Sequence, residues 1–473
     1  MGTRQALVSS IKPMAPHCTM TVLPAPVAPV KSPAQAAPEQ RAEPPSPSLH
    51  RPGFLEALRY WLLLGWISFG GPAGQIAIMH ADLVDKRRWI DEASFLRGLN
   101  FCMLLPGPEA MQLATWLGWR LHGMRGGIAA GVLFVLPGAM VLALLAWLYL
   151  RYGAVPAVAG VVFGLQAAVL GIVVHAVQRI GHRVLKTPFA FAIAGAALLA
   201  IALLRVPFPA IVLSAAVAGW LLWRWRPASL RMDEGVSVIA MLPAPATQAP
   251  SAARALRVAA VCLLLWWLPV AAAGVWLGTD STTFAMGLFF SKAALVTLGG
   301  AYAVLPYVAD QAVIEHGWLL PEQMMAGLGL AESTPGPLIL VLQFVGFLGG
   351  WQHPDLASPL LSALLGMAIT LWTTFLPCFL FVLTAAPWIE RIGQWRWAEA
   401  MLAGVTAAVV GVIANLALWF GWRLLGDVAW PVLALGGALA LLAYVALARW
   451  RWPVWTVVPA AGSLGLLGQV VTG

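Results

Sequence analysis

The sequence predicts an all-α polytopic membrane protein with two inverted-topology repeats, broken or re-entrant helices and about 13 apolar segments. Of its 473 residues, 60% are hydrophobic and 10% are charged, whereas soluble domains carry about 25% charged residues. Glycine and proline breaks interrupt some apolar segments and recur at matching places in both halves. Because paired breaks of this kind are typical of transporters whose site lies between repeats, the duplication also predicts a class of function.

Two motifs define the repeat. Gly70-Gly71 is matched by Gly299-Gly300, and Pro106-Gly107-Pro108 is matched by Pro335-Gly336-Pro337, both at an offset of 229 positions. An insertion of eleven residues near 352–359 then changes the offset to 240.

The 240-residue offset continues to the end of the duplication. Gly164 and Gly171 are matched at this offset by Gly404 and Gly411. The duplication therefore covers nearly all of the apolar part of the chain.

The chain divides into five predicted parts. They are a disordered Pro/Ala-rich cytoplasmic tail at 1–52, a first repeat at 53–223, a basic cytoplasmic linker at 224–257, an unpaired helix at 258–278 and a second repeat at 283–470. The predicted apolar segments are 54–79, 95–118, 127–150, 154–177, 189–204 and 208–223 in the first repeat, and 283–306, 324–349, 359–384, 399–421, 428–447 and 453–470 in the second. The single helix between them inverts the second repeat.

Charged residues support this orientation through the positive-inside rule. The stretch 303–323 has acidic residues but no Lys or Arg, which fits the outside. Basic residues predicted to lie inside, where they orient the chain and contact lipid headgroups, are Arg179, Arg183, Lys186, the linker arginines, Arg391, Arg396, Arg449 and Arg451. The net charge of +9 therefore indicates membrane orientation and not nucleic-acid binding.

The loop Lys86-Arg87-Arg88 leaves two topologies open. It lies outside if the first two segments both cross the membrane. It lies inside if both segments are re-entrant and break at Gly70-Gly71-Pro72 and Pro106-Gly107-Pro108. Broken sequences favour the re-entrant form, because non-helical backbone at membrane depth must be lined by protein or water.

The Gly70-Gly71-Pro72 break predicts an anion site. Glycine lets the backbone leave helical geometry, and proline suits the first turn of a new helix. A helix starting at Pro72 would direct unpaired N–H groups and a positive dipole end at the break. Close helix packing through small residues is the alternative, and the recurrence at Gly299-Gly300 favours the site.

Both Pro-Gly-Pro breaks carry acidic residues. Glu109 follows the first motif and Glu332 precedes the second. Because a carboxylate at membrane depth is costly and usually functional, both are candidates for proton coupling, with helix capping as the alternative for Glu109. Ser333 and Thr334 either donate to an oxyanion or cap a helix.

Other polar residues near the breaks complete the candidate site. Lys292 either neutralises an anion or extends to the outer interface. Gln75, Gln112 and Gln343 are neutral side chains suited to binding a ligand. The predicted substrate site comprises Gly70, Gly71, Pro72, Gln75, Pro106, Gly107, Pro108, Gln112, Lys292, Gly299, Gly300, Ser333, Thr334, Pro335, Gly336 and Pro337.

The sequence contains no nucleotide-binding loop, metal motif or catalytic triad in a sensible context. It therefore predicts a protein that is not an enzyme, with no cofactor and no metal, driven by ion gradients. The predicted partners are a small inorganic oxyanion and the lipid bilayer, without nucleic acid, and a homo-oligomer is compatible with this pattern.

At these motifs the chain resembles the chromate ion transporter family in its long form with two fused halves. The resemblance spans roughly 54–470 and rests on SFGGP at 68–72, LLPGPEA at 104–110, GGIAAGVLFVLPGA at 126–139, KAALVTLGGAYAVLP at 292–306 and LAESTPGPLILVLQFVGFLGG at 330–350. It implies chromate efflux across the bacterial inner membrane and chromate resistance. Sulfate or another oxyanion, or a passive anion channel, is the alternative.

Overall fold

The computed structural model describes residues 50–153, 155–225, 251–389, 396–425 and 430–472. Every regular element within these ranges is helical, which confirms the predicted all-α class. Most of the predicted tail, residues 226–250 of the predicted linker and Arg391 lie outside the described ranges.

The first half forms seven helices. They are α1 (Phe54–Ile67), α2 (Gly71–His80), α3 (Glu92–Leu104), α4 (Glu109–Tyr152), α5 (Pro156–Val184), α6 (Pro188–Ala202) and α7 (Phe208–Trp225). A π-helical turn, Ala81–Lys86, extends α2, and α4 has a kink at His122 and Gly123. The connecting helix is α8 (Ala252–Leu277).

The second half repeats this order. Its helices are α9 (Thr282–Val296), α10 (Ala301–Asp310), α11 (Pro321–Ser333), α12 (Val341–Gln352), α13 (Pro359–Ala385), α14 (Arg396–Leu425), α15 (Trp430–Ala448) and α16 (Val454–Thr472). A π-helical turn, Gln311–Glu315, extends α10, and a 3-10 turn, Leu338–Leu340, precedes α12. The loop 353–358 between α12 and α13 lies within the insertion region near 352–359 and corresponds to the kink of α4.

Several predicted apolar segments differ from the helices that form. Segments 54–79 and 283–306 are each split into two helices, and segments 95–118 and 324–349 each contain a break. Segment 127–150 is the part of α4 beyond the kink, where the non-helical backbone of His122 and Gly123 separates it from the first part of the helix. Glycine and proline end the helical hydrogen-bond ladder at each split. Among the described residues, six helices are long and apolar enough to cross a membrane: α4, α5, α7, α8, α13 and α14.

Helices α1 and α2 form a re-entrant hairpin, because the ends away from their break lie together. The His50 N–H donates to the Arg88 carbonyl oxygen at 3.1 Å, and Arg87 Nη1 is 3.9 Å from Glu56 Oε1. The ring of Tyr60 lies edge-on to Trp89 with centroids 5.4 Å apart. The loop Lys86-Arg87-Arg88 is therefore on the side where α1 starts, as the re-entrant topology requires.

Helix α3 and the first part of α4 form a second hairpin from the same side. His122, at the kink of α4, lies 3.1 Å through Nε2 from the Pro52 carbonyl oxygen. Arg120 Nη2 lies 3.9 Å from the carboxylate of Asp91, which caps the start of α3. Both breaks of the first half therefore form the tips of hairpins that enter from one side.

The second half has the same pair of hairpins. The Asp355 carboxylate accepts the Thr282 and Thr283 backbone N–H groups at 2.8 and 2.7 Å, which joins the loop after α12 to the start of α9. His353 Nε2 lies 3.1 Å from the Gly317 carbonyl oxygen, beyond the end of α10. Five apolar segments separate the two pairs of hairpins, four of them long enough to cross a membrane and α6 shorter. This odd number inverts the second pair of hairpins relative to the first.

The long helices of the two halves are interleaved. Helix α5 packs mainly on α15 and α16, and α14 packs mainly on α6 and α7. A Cβ atom at Gly164 or Gly171 would strike the backbone of Ala461 or Ala440. The matching positions Gly404 and Gly411 face the backbones of Ala215 and Ala194. The repeated glycines are thus the crossing points at which each half closes over the other.

Candidate functional site

The double-glycine breaks start new helices at two hairpin tips. Gly70 and Gly71 have φ angles of 88° and 72°, and Gly299 and Gly300 have φ angles of 83° and 99°, a region that favours glycine. Helix α2 begins at Gly71 with Pro72 in its first turn, and α10 begins at Ala301. The predicted helix start after the break is therefore confirmed.

The two Pro-Gly-Pro breaks form the other tips. Gly107 and Gly336 have φ angles of 122° and 96°. Pro106-Gly107-Pro108 separates α3 from α4, and Pro335-Gly336-Pro337 separates α11 from the 3-10 turn before α12. We call 68–71 and 106–108 the first-half tips, and 297–300 and 335–337 the second-half tips.

Tips of opposite halves are joined by backbone hydrogen bonds. The Gly107 N–H donates to the Thr297 carbonyl oxygen at 2.7 Å, and the Gly336 N–H donates to the Ser68 carbonyl oxygen at 2.8 Å. Ser68 and Thr297 are matched at the 229-residue offset, as are the two glycines. In the sequence, each break is matched by the break of the same type in the other half. In the fold, each Pro-Gly-Pro tip is instead hydrogen-bonded to the double-glycine tip of the other half.

Each Pro-Gly-Pro tip also rests on a long helix of the other half. A Cβ atom at Gly138 of α4 would strike the carbonyl oxygen of Pro335, and a Cβ atom at Gly107 would lie 2.7 Å from Sγ of Cys378 on α13. Gly138 and Cys378 are matched at the 240-residue offset. The tips are therefore fixed by close backbone contacts between halves.

Three buried glutamines hold the backbone around the tips. The side-chain amide of Gln75 donates to the Gly336 carbonyl oxygen at 2.7 Å, and that of Gln112 donates to the Pro106 carbonyl oxygen at 2.7 Å. Gln343 donates to the Ala139 carbonyl oxygen at 2.7 Å. Gln75 Oε1, Gln112 Oε1 and the Ser68 hydroxyl are buried without a hydrogen-bond partner among the described residues, so their hydrogen-bonding capacity is not used by the protein at the tips.

The two acidic candidates lie at second-half tips. Glu109 is the first residue of α4, and its Oε1 is 3.7 Å from the position of a Cβ atom at Gly300. Glu332, on α11, is 8% exposed and accepts a hydrogen bond of 2.5 Å from the hydroxyl of Tyr302 on α10. Glu109 of the first half therefore lies near the double-glycine tip 297–300, and Glu332 of the second half contacts α10, the helix that starts at this tip.

Three further candidates have other local contacts. The hydroxyls of Ser333 and Thr334 donate to the Leu330 and Ala331 carbonyl oxygens at 2.9 Å, so both cap the end of α11. Lys292 is exposed on α9, and it acts electrostatically on His316, which follows the π-helical turn after α10. The fold therefore does not bring Lys292 into contact with the carboxylates at the tips.

Sequence reasoning missed three residues near the tips. They are Tyr302, Arg179 and Arg183, and the two arginines act electrostatically on Glu332 and Glu109, respectively. Basic residues near a helix end usually orient the chain, which hid this proximity. Their spacing of four residues, which puts both on one face of α5, was the available signal.

Several helices begin at the hairpin tips, so their N-termini lie close together. Helices α2, α4 and α10 and the 3-10 turn before α12 all begin there, and the N-termini of α2, α4 and α10 have no side-chain cap. Positive dipole ends and free N–H groups favour an anion. The described residues contain no group of three or more His, Cys, Asp or Glu side chains that could hold a metal ion.

Comparison with known proteins identifies similar chains. The family model described as chromate transporter matches residues 55–220 and 284–466, which correspond to the two halves. A chromate transport protein of Pseudomonas aeruginosa is 36% identical over 75% of this chain and 77% of that protein.

A second relative covers more of the chain. A chromate transport protein of Cupriavidus metallidurans is 29% identical over 87% of this chain and 92% of that protein. A probable chromate transport protein of Synechococcus elongatus is 27% identical over 78% of this chain and 85% of that protein. No solved structure matches this chain.

Proposed function

Since this multi-pass membrane protein belongs to the chromate transporter family, whose members are transporters and not enzymes, we propose that it exports chromate across the bacterial inner membrane. Export by a secondary transporter would give the cell resistance to chromate. The proposed substrate is a small inorganic oxyanion with two negative charges.

The observation that carries this proposal is the crosswise hydrogen bonding of the hairpin tips. The bonds from Gly107 to Thr297 and from Gly336 to Ser68 join hairpins that enter from opposite sides. A site at such a junction is reached from one side when one pair of hairpins moves and from the other side when its counterpart moves. The tips, with the glutamines and helix N-termini around them, are the proposed oxyanion site.

The membrane potential favours the proposed direction. Moving one charge through 100 mV corresponds to about 2.3 kcal/mol, so a dianion leaving an inside-negative cell gains about 4.6 kcal/mol. Import would need at least three accompanying cations to reverse the sign of the charge moved. The potential alone therefore drives export as long as the outward concentration gradient of the dianion costs less than about 4.6 kcal/mol.

Glu109 and Glu332 are the proposed route for a returning proton. Arg183 and Cys102 interact electrostatically with Glu109, and Arg179 and Tyr302 with Glu332. An oxyanion at the tips adds negative charge and so favours protonation of these carboxylates. The proton part of the proposal is wrong if the export rate ignores an imposed pH gradient at fixed voltage.

Chromate flux into inside-out vesicles tests the proposal. We expect saturable chromate uptake that excess sulfate inhibits only weakly. Sulfate uptake with indifference to chromate would make the protein a sulfate transporter with the same site. Flux without saturation and without stimulation by chromate on the opposite side would indicate a passive anion channel. Flux of neither anion would contradict the proposed function.

A further inference from the structure

Arg179 and Arg183 lie on α5 at the level of a second-half tip. Gly181, between them, would carry a Cβ atom 3.6 Å from Cγ1 of Val410 on α14. The preceding residue, Val409, has Cγ2 3.9 Å from the position of a Cβ atom at Gly299. The crossing of α5 and α14 therefore brings the two arginines to the depth of the hairpin tips.

The titratable groups on which these arginines act include the two carboxylates and, for Arg179, His175. Arg183 acts on Glu109, whereas Arg179 acts on Glu332 and on its hydrogen-bond donor Tyr302. No ion pair within 4 Å joins either arginine to a carboxylate among the described residues. Both arginine side chains are exposed, so no neighbouring side chain in the described part of the chain covers them.

We propose that Arg179 and Arg183 form the cytoplasmic binding site for the divalent oxyanion, in front of the hairpin tips. This inference rests on the proposed function and extends its site to two residues of α5. A planar guanidinium presents paired N–H donors that match two oxygens of a tetrahedral oxyanion. Two guanidiniums one helical turn apart supply the two positive charges that a dianion requires.

The proposed site explains why Glu109 and Glu332 form no ion pair within 4 Å with the two arginines. At more than ion-pair distance, Glu109 and Glu332 balance the two positive charges without occupying their N–H donors. An arriving oxyanion takes those donors directly and then faces the helix N-termini of the tips. The matched positions on α14 are Trp419 and Arg423, so the complete arginine pair is confined to the side of α5.

The test uses the full-length protein with four substitutions. They are Arg179→Gln, Arg183→Gln, Arg183→Lys and, as a control, Lys186→Gln, which removes an exposed positive charge just beyond the end of α5. Potassium chromate uptake into inside-out proteoliposomes gives KM and Vmax. In parallel, the melting temperature of the protein in detergent is measured with potassium chromate and with potassium chloride of equal ionic strength.

We expect each Arg→Gln variant to raise KM at least tenfold and to lose the chromate-dependent rise in melting temperature. Arg183→Lys keeps the charge but loses the paired donors, so its KM should lie between those of wild type and Arg183→Gln. Lys186→Gln should match wild type. KM values within twofold of wild type for both Arg→Gln variants would overturn the inference.

The melting measurement separates this inference from the proposed function. If the wild type moves no chromate but chromate stabilises it, and the Arg→Gln variants lose that effect, the site stands and the transport proposal fails. If the wild type transports chromate and the variants do so equally well, only the arginine site fails. If chromate neither moves nor stabilises the wild type, both fail.

Discussion

Positive φ angles at Gly71 and Gly300 make the tips sensitive to any side chain. No atom lies within 4 Å of a Cβ position at Gly71, so a substitution there acts through backbone strain and not through a clash. Left-handed backbone costs a residue other than glycine roughly 1–2 kcal/mol. The tips therefore depend on glycine for their conformation even where space is available.

We expect Gly71→Val and Gly300→Val to abolish transport without preventing membrane insertion. Each substitution forces the tip out of the conformation that starts α2 or α10. Gly195→Val is the control, because Gly195 is helical and has no atom within 4 Å of its Cβ position. The measurement is chromate flux into inside-out vesicles that contain equal amounts of inserted protein. Full transport by either tip variant would move the site away from these breaks.

A substitution at Gly138 tests the tips in a second way, because it acts through a steric clash and not through backbone strain. Its Cβ atom would strike the Pro335 carbonyl oxygen, so Gly138→Ala must displace the Pro335-Gly336-Pro337 tip. We expect a lower transport rate and a lower melting temperature, whereas Gly195→Ala should change neither. Unchanged transport in Gly138→Ala would show that this tip tolerates displacement.

The re-entrant hairpins are the elements that deliver the tips. Each hairpin is closed at the end away from its tip by contacts between residues distant in sequence, such as Glu56 with Arg87 and Gln323 with Gln352. These contacts place both ends of a hairpin on one side. Opposite hairpins therefore meet by their tips and not by their sides.

Asp355 should be a stability determinant of the second half. Its carboxylate accepts the Thr282 and Thr283 backbone N–H groups and the Thr283 hydroxyl, so Asp355→Ala leaves the start of α9 with unpaired donors. Loss of such a cap costs about 0.5–2 kcal/mol. We expect a lower melting temperature in detergent, with Asp355→Asn closer to wild type because it keeps an acceptor. Equal melting temperatures for the wild type, Asp355→Ala and Asp355→Asn would contradict this role.

Cysteine labelling tests the hairpin topology. In a variant without the native cysteines, we expect Lys86→Cys to react with a membrane-impermeant maleimide only from the cytoplasmic side. Glu315→Cys, at the matched position of the second half, should react only from outside. Both side chains are exposed. Labelling of both positions from one side would refute the inverted hairpins.

Glycine and proline made the breaks predictable and favoured re-entrant hairpins, whereas the contacts that close the hairpins required the structure. Segment 54–79 is long enough to cross a membrane, and only contacts such as that of Tyr60 with Trp89 show that it turns back. The depth of Arg183 was likewise hidden, because it depends on where α5 crosses α14. Local chemistry was thus readable from the sequence, and the pairing of distant helices was not.

The whole molecule depends on the exchange of helices between halves. Helix α5 packs on α15 and α16, and α14 packs on α6 and α7. Each half thus supplies the surface that covers the other half's longest unbroken crossing helix. The inverted orientation set by α8 is required for this exchange, because the matched helices approach each other antiparallel.

Separated halves should therefore fail individually. We expect a chain cut within 226–250 to yield two fragments that copurify and transport when expressed together. Each fragment alone should aggregate in detergent, because α5 or α14 loses its partners. Size-exclusion chromatography of the fragments, alone and together, measures this. A monodisperse single half would contradict the interdependence.

The interleaving also sets the order of biogenesis. Helix α5 ends at Val184, and its partners begin only at Trp430, about 250 residues later. At roughly 5–20 residues per second, the ribosome needs about 10–50 s to supply them. During that interval the face of α5 that carries Gly164 and Gly171 lies in the bilayer without α15 and α16 packed against it. A premature stop codon that removes only α16 would therefore damage a helix synthesised more than 250 residues before it.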